Sequence, residues 1–535
     1  MRRRPLVVFL LLTAASLAAS EDSGKRWWSH VEYLASDQLE GRLTGSVGHR
    51  KAAEYVAEQF KKDGLVPAGA LGYIQPVRFY SRTIVEKNSS LELIQNGHAE
   101  ALQLAEEVIL SARIRPARTL SPSLAFVGYG LTVPEYRYDD LKGLDLRGKV
   151  AVYLYGGPST IPGALRAHYS SLEERWKSLK RAGAVGVLAI SDPHHMDIPW
   201  DRLMVLRTQP AMTLADPKLE ETPGEQFAAF FNPTHAEKLF AGTEHSFSEL
   251  VALADSGKPL PTFPLAVSLS AKVAFEEKSV VSQNLVGILR GTDPKLKSEY
   301  VVLSAHLDHL GVGEPIQGDR IYNGAMDNAA GVATILDVAA MLHESNAKHR
   351  RSILFVSFTG EEKGLLGSRY FVAHPTVPLR SMVGNLNVDM FLPIIPLKIL
   401  TVLGLNDSSL GPMLRSVVEP LGVTIQEDPE PARNLFIRSD QYNFIRAGIP
   451  AIYFKVGAAP GSPEAAIGKR WLTDHYHAPS DDTHQPVDFG AAAKYNQVVL
   501  HLIQAMADQP AAPTWSQDSF FRRYAKAEPK ALSAP

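Results

Sequence analysis

Two acids stand side by side at Glu361 and Glu362, directly after the apolar run SILFVSF, in the stretch FTGEEKGLLGS. Adjacent carboxylates at the end of a buried strand repel each other and lose solvation, so the placement asks for a positive partner. The pattern recurs along the chain. His306 follows EYVVLSA, with Asp308 two residues on. Asp327 sits in GDRIYNGAMDNAAG at the start of a helix-like run. Asp389 lies in NLNVDM, and His477 lies in TDHYHAPSDD, reached by a loop after GIPAIYFKV. Singly, each has an ordinary reading: a core histidine, a helix-capping aspartate, a salt-bridged acid. Together, five segments bring an imidazole or a carboxylate to one edge.

The donor set is His306, His477, Asp327, Glu362 and Asp389, and the chain has no cysteine. One zinc takes about four ligands, fewer from protein if a position stays open. Five groups suit two ions ~3.5 Å apart, with one carboxylate shared between them. Imidazole with carboxylate favours zinc, with cobalt or manganese as substitutes. Asp308 is placed to accept the second ring N–H of His306 and fix its tautomer. Adjacent side chains diverge, so Glu362 can bind metal while Glu361 faces the water and acts as general base in attack on a carbonyl. The ions would polarise that carbonyl and bring the pKa of water toward ~7.

These residues need a scaffold. The 535 residues are too many for one core, so two or three domains are expected. From about Val280 to residue 507, apolar strands alternate with helical runs. This is an α/β pattern: a mainly parallel twisted sheet flanked by helices, with ligands beyond the carboxyl ends of its strands. DNAAGVATILDVAAMLHES reads as an amphipathic helix with Val332, Ile335, Leu336 and Leu342 on one side. Residues 28–67 read as helices broken near 41–48. From about Phe79 to Phe275 the texture is β-rich, with a helix at SLEERWKSLKRAGA. The histidines of DPHHMD (192–197) read first as a solvated loop. The expected boundaries are 1–20, 21–80, 81–275, 276–510 and a tail or surface strap at 511–535.

MRRRPLVVFLLLTAASLAAS at residues 1–20 has the layout of a secretory signal peptide: arginines, a short apolar run, then small residues. The expected location is therefore exported, periplasmic or extracellular. No other apolar run is expected to reach the ~18 residues of a membrane span, so no stable span is expected after cleavage. The net charge of −2 gives no basic field for nucleic acid.

The ordered set SAHLDHLG, NGAMDNAAG, GEEKGLLGS, NVDM, SDQYNF and YHAPSDD closely resembles the co-catalytic zinc aminopeptidases of metallopeptidase family M28, over roughly 280–505. YLASDQLEGRLTGSVGHRKAAEYVAEQF resembles the helical lead-in of larger bacterial members. FVGYGLTVPEYRYDDLKGLDLRGKVAVYLYG resembles the start of the protease-associated (PA) domain that many carry as an insertion. The resemblance implies a zinc-exopeptidase fold and peptide or protein N-termini as substrates. It implies one zinc on His306 and Asp389, another on Glu362 and His477, Asp327 bridging, and Glu361 as base. It further implies that Tyr476 hydrogen-bonds the developing oxyanion and that Ser439 and Asp440 lie by the substrate. Ser439 also stands where it could cap a helix. Gln441 replaces a histidine common in the family, and no disulfide is possible. A carboxypeptidase or dipeptidase would need a cation for the substrate carboxylate, which Arg433, Arg438 or Arg446 could supply. A glutaminyl-cyclase-like transferase uses one zinc, and a receptor-like relative would have lost ligands that this chain keeps.

Overall fold

The computed structural model describes residues 21–194 and 200–525. The expected signal peptide, residues 195–197 of DPHHMD and the end of the expected tail lie outside the described residues. The chain divides into two compact units. The first runs to Val77 and takes up again over Val281–Pro431 and from Leu435. The second is Arg78–Val280 with Ala432–Asn434.

In the first unit the strands are β1 (Phe275–Leu289, entering the unit at Val281), β2 (Tyr300–His306), β3 (Ser352–Phe358), β4 (Met382–Asn387), β5 (Ile399–Leu403), β6 (Thr424–Glu427) and β7 (Ala451–Gly457). Their order is β1-β3-β2-β4-β7-β5-β6. β3, β2, β4 and β7 are parallel neighbours. β1 runs antiparallel to β3, and β5 antiparallel to β7. Every residue of β3 is buried, as the unbroken apolar run requires of a strand covered on both faces. The chain starts the parallel core at β2, steps to β3 on one side and then to β4 on the other. The carboxyl end of β2 is therefore the switch point, where ligands bind in such sheets. His306 is its last residue and pairs with Phe358.

The helices are α1 (Val47–Lys62), α2 (Ala330–Ser345), α3 (Leu366–Ala373), α4 (Leu410–Val418), α5 (Gln441–Arg446), α6 (Pro463–Asp474) and α7 (Phe489–Asp508). A helix over 21–34 precedes α1. α2 departs from the amphipathic expectation: every residue from Ala330 to Ala339 is buried, Asp337 included. Asp337 is tolerated because Arg26 Nε (2.7 Å) and Asn496 Nδ2 (2.9 Å) donate to it. By length and composition Ala325–Ser345 would pass for a membrane span, which the sequence reading overlooked. Its apolar surface is spent inside the unit instead. The chain after α7 forms a strap, with Trp515 bridged to Ser408 and Phe521 buried.

The second unit is less purely β than its sequence implied. Ser123–Val127, Val150–Leu154, Gly186–Ile190 and Phe227–Phe231 are parallel neighbours, and Thr262–Lys272 and Val108–Leu110 pair antiparallel at either side. The helix Leu172–Arg181 connects two of the parallel strands and is capped by Ser171, which accepts from Glu174 N–H.

Candidate metal centre

Three adjacent strands lead to the first of the expected donors. β2 ends on His306. β3 runs through Phe358 into Thr359, Gly360 and the acid pair. β4 stops two residues short of Asp389. Asp327 arrives on the turn Ala325–Ala329 before α2, where its peptide to Asn328 is cis. His477 does not arrive by a plain loop, as expected: α6 intervenes between β7 and Tyr476.

The turn before α2 is shaped by its neighbours. Gly324 has φ +62°, and a Cβ there would collide with the Asp327 carbonyl and the His309 ring. Asp327 does not cap α2. Asn328 does so through Oδ1, which accepts from Gly331 N–H at 3.0 Å. Asp481, fully buried, accepts from the N–H groups of Met326 (2.9 Å) and Asp327 (3.0 Å). This frees the Asp327 side chain for other work.

Its two oxygens are divided. Oδ1 lies 3.2 Å from His306 Nε2 and Oδ2 lies 3.3 Å from His477 Nε2. His306 Nε2 is also 3.4 Å from Asp389 Oδ1, and His477 Nε2 is 3.2 Å from Glu362 Oε2. Metal–donor bonds of about 2.0–2.1 Å in a tetrahedral site put donors roughly 3.3 Å apart. The five groups therefore fit two cations sharing Asp327. The Glu361 carboxylate lies within 4.8 Å of His306 and Glu362 donor atoms and contributes to none of those four contacts.

Asp308 does its work differently from the expectation. Its backbone carbonyl, not its carboxylate, faces His306 Nδ1 at 3.1 Å. The carboxylate accepts from Thr44 Oγ1 (2.8 Å) and from Glu361 N–H (3.1 Å), so it holds the backbone of Glu361. Ser439 is buried, and its hydroxyl accepts from Asn387 Nδ2 at 2.9 Å, as does Gln441 Oε1. Asp440 occupies the N-cap position of α5 without a side-chain cap bond and is fully buried. Tyr476 stacks on His477 with ring centroids 3.9 Å apart. Arg446 lies over Tyr442, and the charge of exposed Arg438 acts on Tyr476.

Several residues of the site escaped sequence reasoning. His309 Nδ1 lies 2.7 Å from Glu362 Oε1. Arg42, fully buried, donates to the carbonyls of Leu34, Leu307, Asn323 and Gly324. Asp481 and Asn328 join them. The signal for His309 and Asp481 was present, since both stand in quoted motifs beside a ligand. Arg42 gave none, because its partners are backbone atoms far along the chain.

Electrostatics agree with the geometry. Burial alone would lower both imidazoles. Glu361 and Asp389 outweigh it at His306, holding that ring well above its usual range, and Glu362 and Asp327 push His477 up to about 10. Burial would raise Asp327 and Glu362, yet their histidine partners bring Asp327 to about 2 and Glu362 well below the usual carboxylate range. Burial lifts Glu361 well above its usual value and Asp440 to about 7. A cage of this kind attracts positive charge.

The profile of Peptidase family M28 matches residues 284–503. The chain carries a peptidase family M28 domain. That segment spans β2 to β7 and all the residues of the donor set. Among curated proteins, the probable leucine aminopeptidase 2 of Aspergillus oryzae is 27% identical over 246 residues, 44% of this chain and 45% of that protein. Leucine aminopeptidase 1 of Trichophyton equinum is 33% identical over 124 residues, 22% of this chain and 32% of that protein. The match thus spans less than half the length of these curated relatives. Among solved structures, an aminopeptidase from Aneurinibacillus sp. strain AM-1 has the same fold, with a TM-score of 0.56 at 19% identity, covering 91% of this chain and 95% of that one.

Proposed function

We propose that this protein is an exported, zinc-dependent aminopeptidase that removes N-terminal residues from peptides, using two zinc ions. The observation that carries the reading is Asp327, whose two oxygens face His306 at 3.2 Å and His477 at 3.3 Å. His306 and Asp389 would hold one ion, His477 and Glu362 the other, with Asp327 between them. The ions would supply Lewis acidity toward the scissile carbonyl and toward water. Glu361 takes the proton from the attacking water and returns it to the leaving amine nitrogen; burial raises its affinity for protons, as a base requires. Burial keeps the Tyr476 hydroxyl protonated, so it can donate to the oxyanion. A preference for apolar N-terminal residues is supported by the names of the fungal relatives. Export is supported by residues 1–20 alone, and the PA reading of the second unit by sequence resemblance alone.

The test is mass spectrometry of free and N-acetylated peptides incubated with the purified protein, with and without chelator. Stepwise loss of N-terminal residues from free peptides only, stopped by chelation, is expected. Glu361→Gln should keep its zinc and lose ~10²–10⁴-fold in kcat. Loss from the C-terminus would replace this reading with a carboxypeptidase. No cleavage in zinc-replete samples would end the peptidase reading.

A further inference from the structure

His309 belongs to none of the four imidazole–carboxylate contacts that surround Asp327, yet it is fully buried beside one of them. Its Nδ1 lies 2.7 Å from Glu362 Oε1. The other Glu362 oxygen, Oε2, faces His477 Nε2 at 3.2 Å. The two oxygens of this carboxylate are therefore split between two imidazoles with different tasks. A carboxylate that binds a cation is ionised and accepts only, so in the His309–Glu362 bond Nδ1 is the donor. The His309 ring is itself fixed. Its backbone N–H donates to the Arg42 carbonyl at 3.3 Å, and the ring packs against the glycine at 324, where a Cβ would collide with it. Its Nε2 is buried with no hydrogen-bond partner among the described residues, so Nδ1 carries the directional contact of this side chain.

We infer that His309 is a positioning residue for one cation only: its Nδ1–H holds Glu362 Oε1, so that Oε2 alone is presented to the ion shared with His477. This rests on the two-cation reading above. A partner that donates to a ligand fixes the ligand's orientation, and losing it typically costs 10–100-fold in metal affinity. The effect should be one-sided. His306 and Asp389, on the other side of Asp327, show no hydrogen bond to His309. A merely structural role would loosen both halves of the site together.

The experiment is a zinc titration of the metal-stripped full chain by calorimetry, with native protein, His309→Ala and His309→Asn, and with thermal melts of the stripped forms to confirm folding. Native protein should bind two ions in two resolvable steps. His309→Ala should weaken one step by 10–100-fold and leave the other unchanged. His309→Asn, whose amide N–H can still donate from the place of Nδ1, should recover part of that loss. The cobalt-loaded forms supply a spectroscopic check: at saturation the visible bands of His309→Asn should match native, because no ligand is exchanged. Equal weakening of both steps, or of neither, overturns the inference. Altered cobalt bands also overturn it, by making His309 a ligand. Failure of native protein to bind two ions would instead remove the two-cation reading on which the inference rests.

Discussion

A histidine must give up its proton before its nitrogen can bind a cation, and here two histidines hold theirs tightly. His477 keeps its proton up to about 10 and His306 is also held well above its usual range, because carboxylates surround both. Asp327, at about 2, and Glu362, lower than usual, are already ionised at neutral pH and have no proton to release. Zinc uptake by the stripped chain at pH 7 should therefore expel about two protons, one from each imidazole. Affinity should rise with pH toward about 10, where His477 loses its proton unaided. Calorimetry in buffers of contrasting ionisation enthalpy measures the count. Uptake without proton release would mean that the rings are neutral beforehand and that the carboxylate cage is not as drawn.

At the level of elements, the site depends on a segment outside the parallel core. The short turn Asp37–Arg42 ends in a buried arginine that donates to four carbonyls in three separate stretches. Two of those stretches adjoin the donor set: Leu307 follows His306, and Asn323 and Gly324 precede Asp327. Thr44, two residues on, supports Asp308, which in turn holds the Glu361 backbone. The lead-in is thus part of the site's frame. Burial lowers the Arg42 pKa to about 10, which still leaves it charged at neutral pH. Arg42→Met would strand buried carbonyls and leave the nearby acids without this cation. The expected loss is about 3–5 kcal/mol, read by denaturant unfolding of the stripped protein. A change below about 1 kcal/mol would show that water replaces the guanidinium at little cost.

Across the whole molecule, the second unit carries its own pH dependence. Glu225, just before the strand Phe227–Phe231, is 5% exposed, and burial pushes its carboxyl up to about 8, with Thr222 and Arg113 opposing. A raised folded-state pKa favours the protonated form on folding. Its contribution is fully present below the usual value of 4.5 and is lost as pH climbs through about 8. Glu225→Gln should therefore match native stability near pH 4 and exceed it above pH 8, by at most about 5 kcal/mol. Melting both proteins from pH 4 to 9 tests this. A difference that does not vary with pH would show that Glu225 reaches solvent.

His306, Glu362 and Asp389 stood out in the sequence because apolar strands announce their own ends, and a polar residue placed there is conspicuous. The parallel core was legible too, from unbroken runs such as SILFVSF that only a doubly covered strand tolerates. Three things depended on the tertiary structure. α2 kept its helix but buried both faces over Ala330–Ala339, because Arg26 and Asn496 from distant parts of the chain donate to the one acid buried there, Asp337. Asp308 kept its place beside His306 but turned its carboxylate toward Thr44 and Glu361, since the direction of a side chain depends on partners that the local sequence does not contain. Arg42 could not be read at all. A motif records side chains near one another along the chain, whereas Arg42 binds backbone carbonyls as far as 282 residues away, and every residue type offers the same carbonyl.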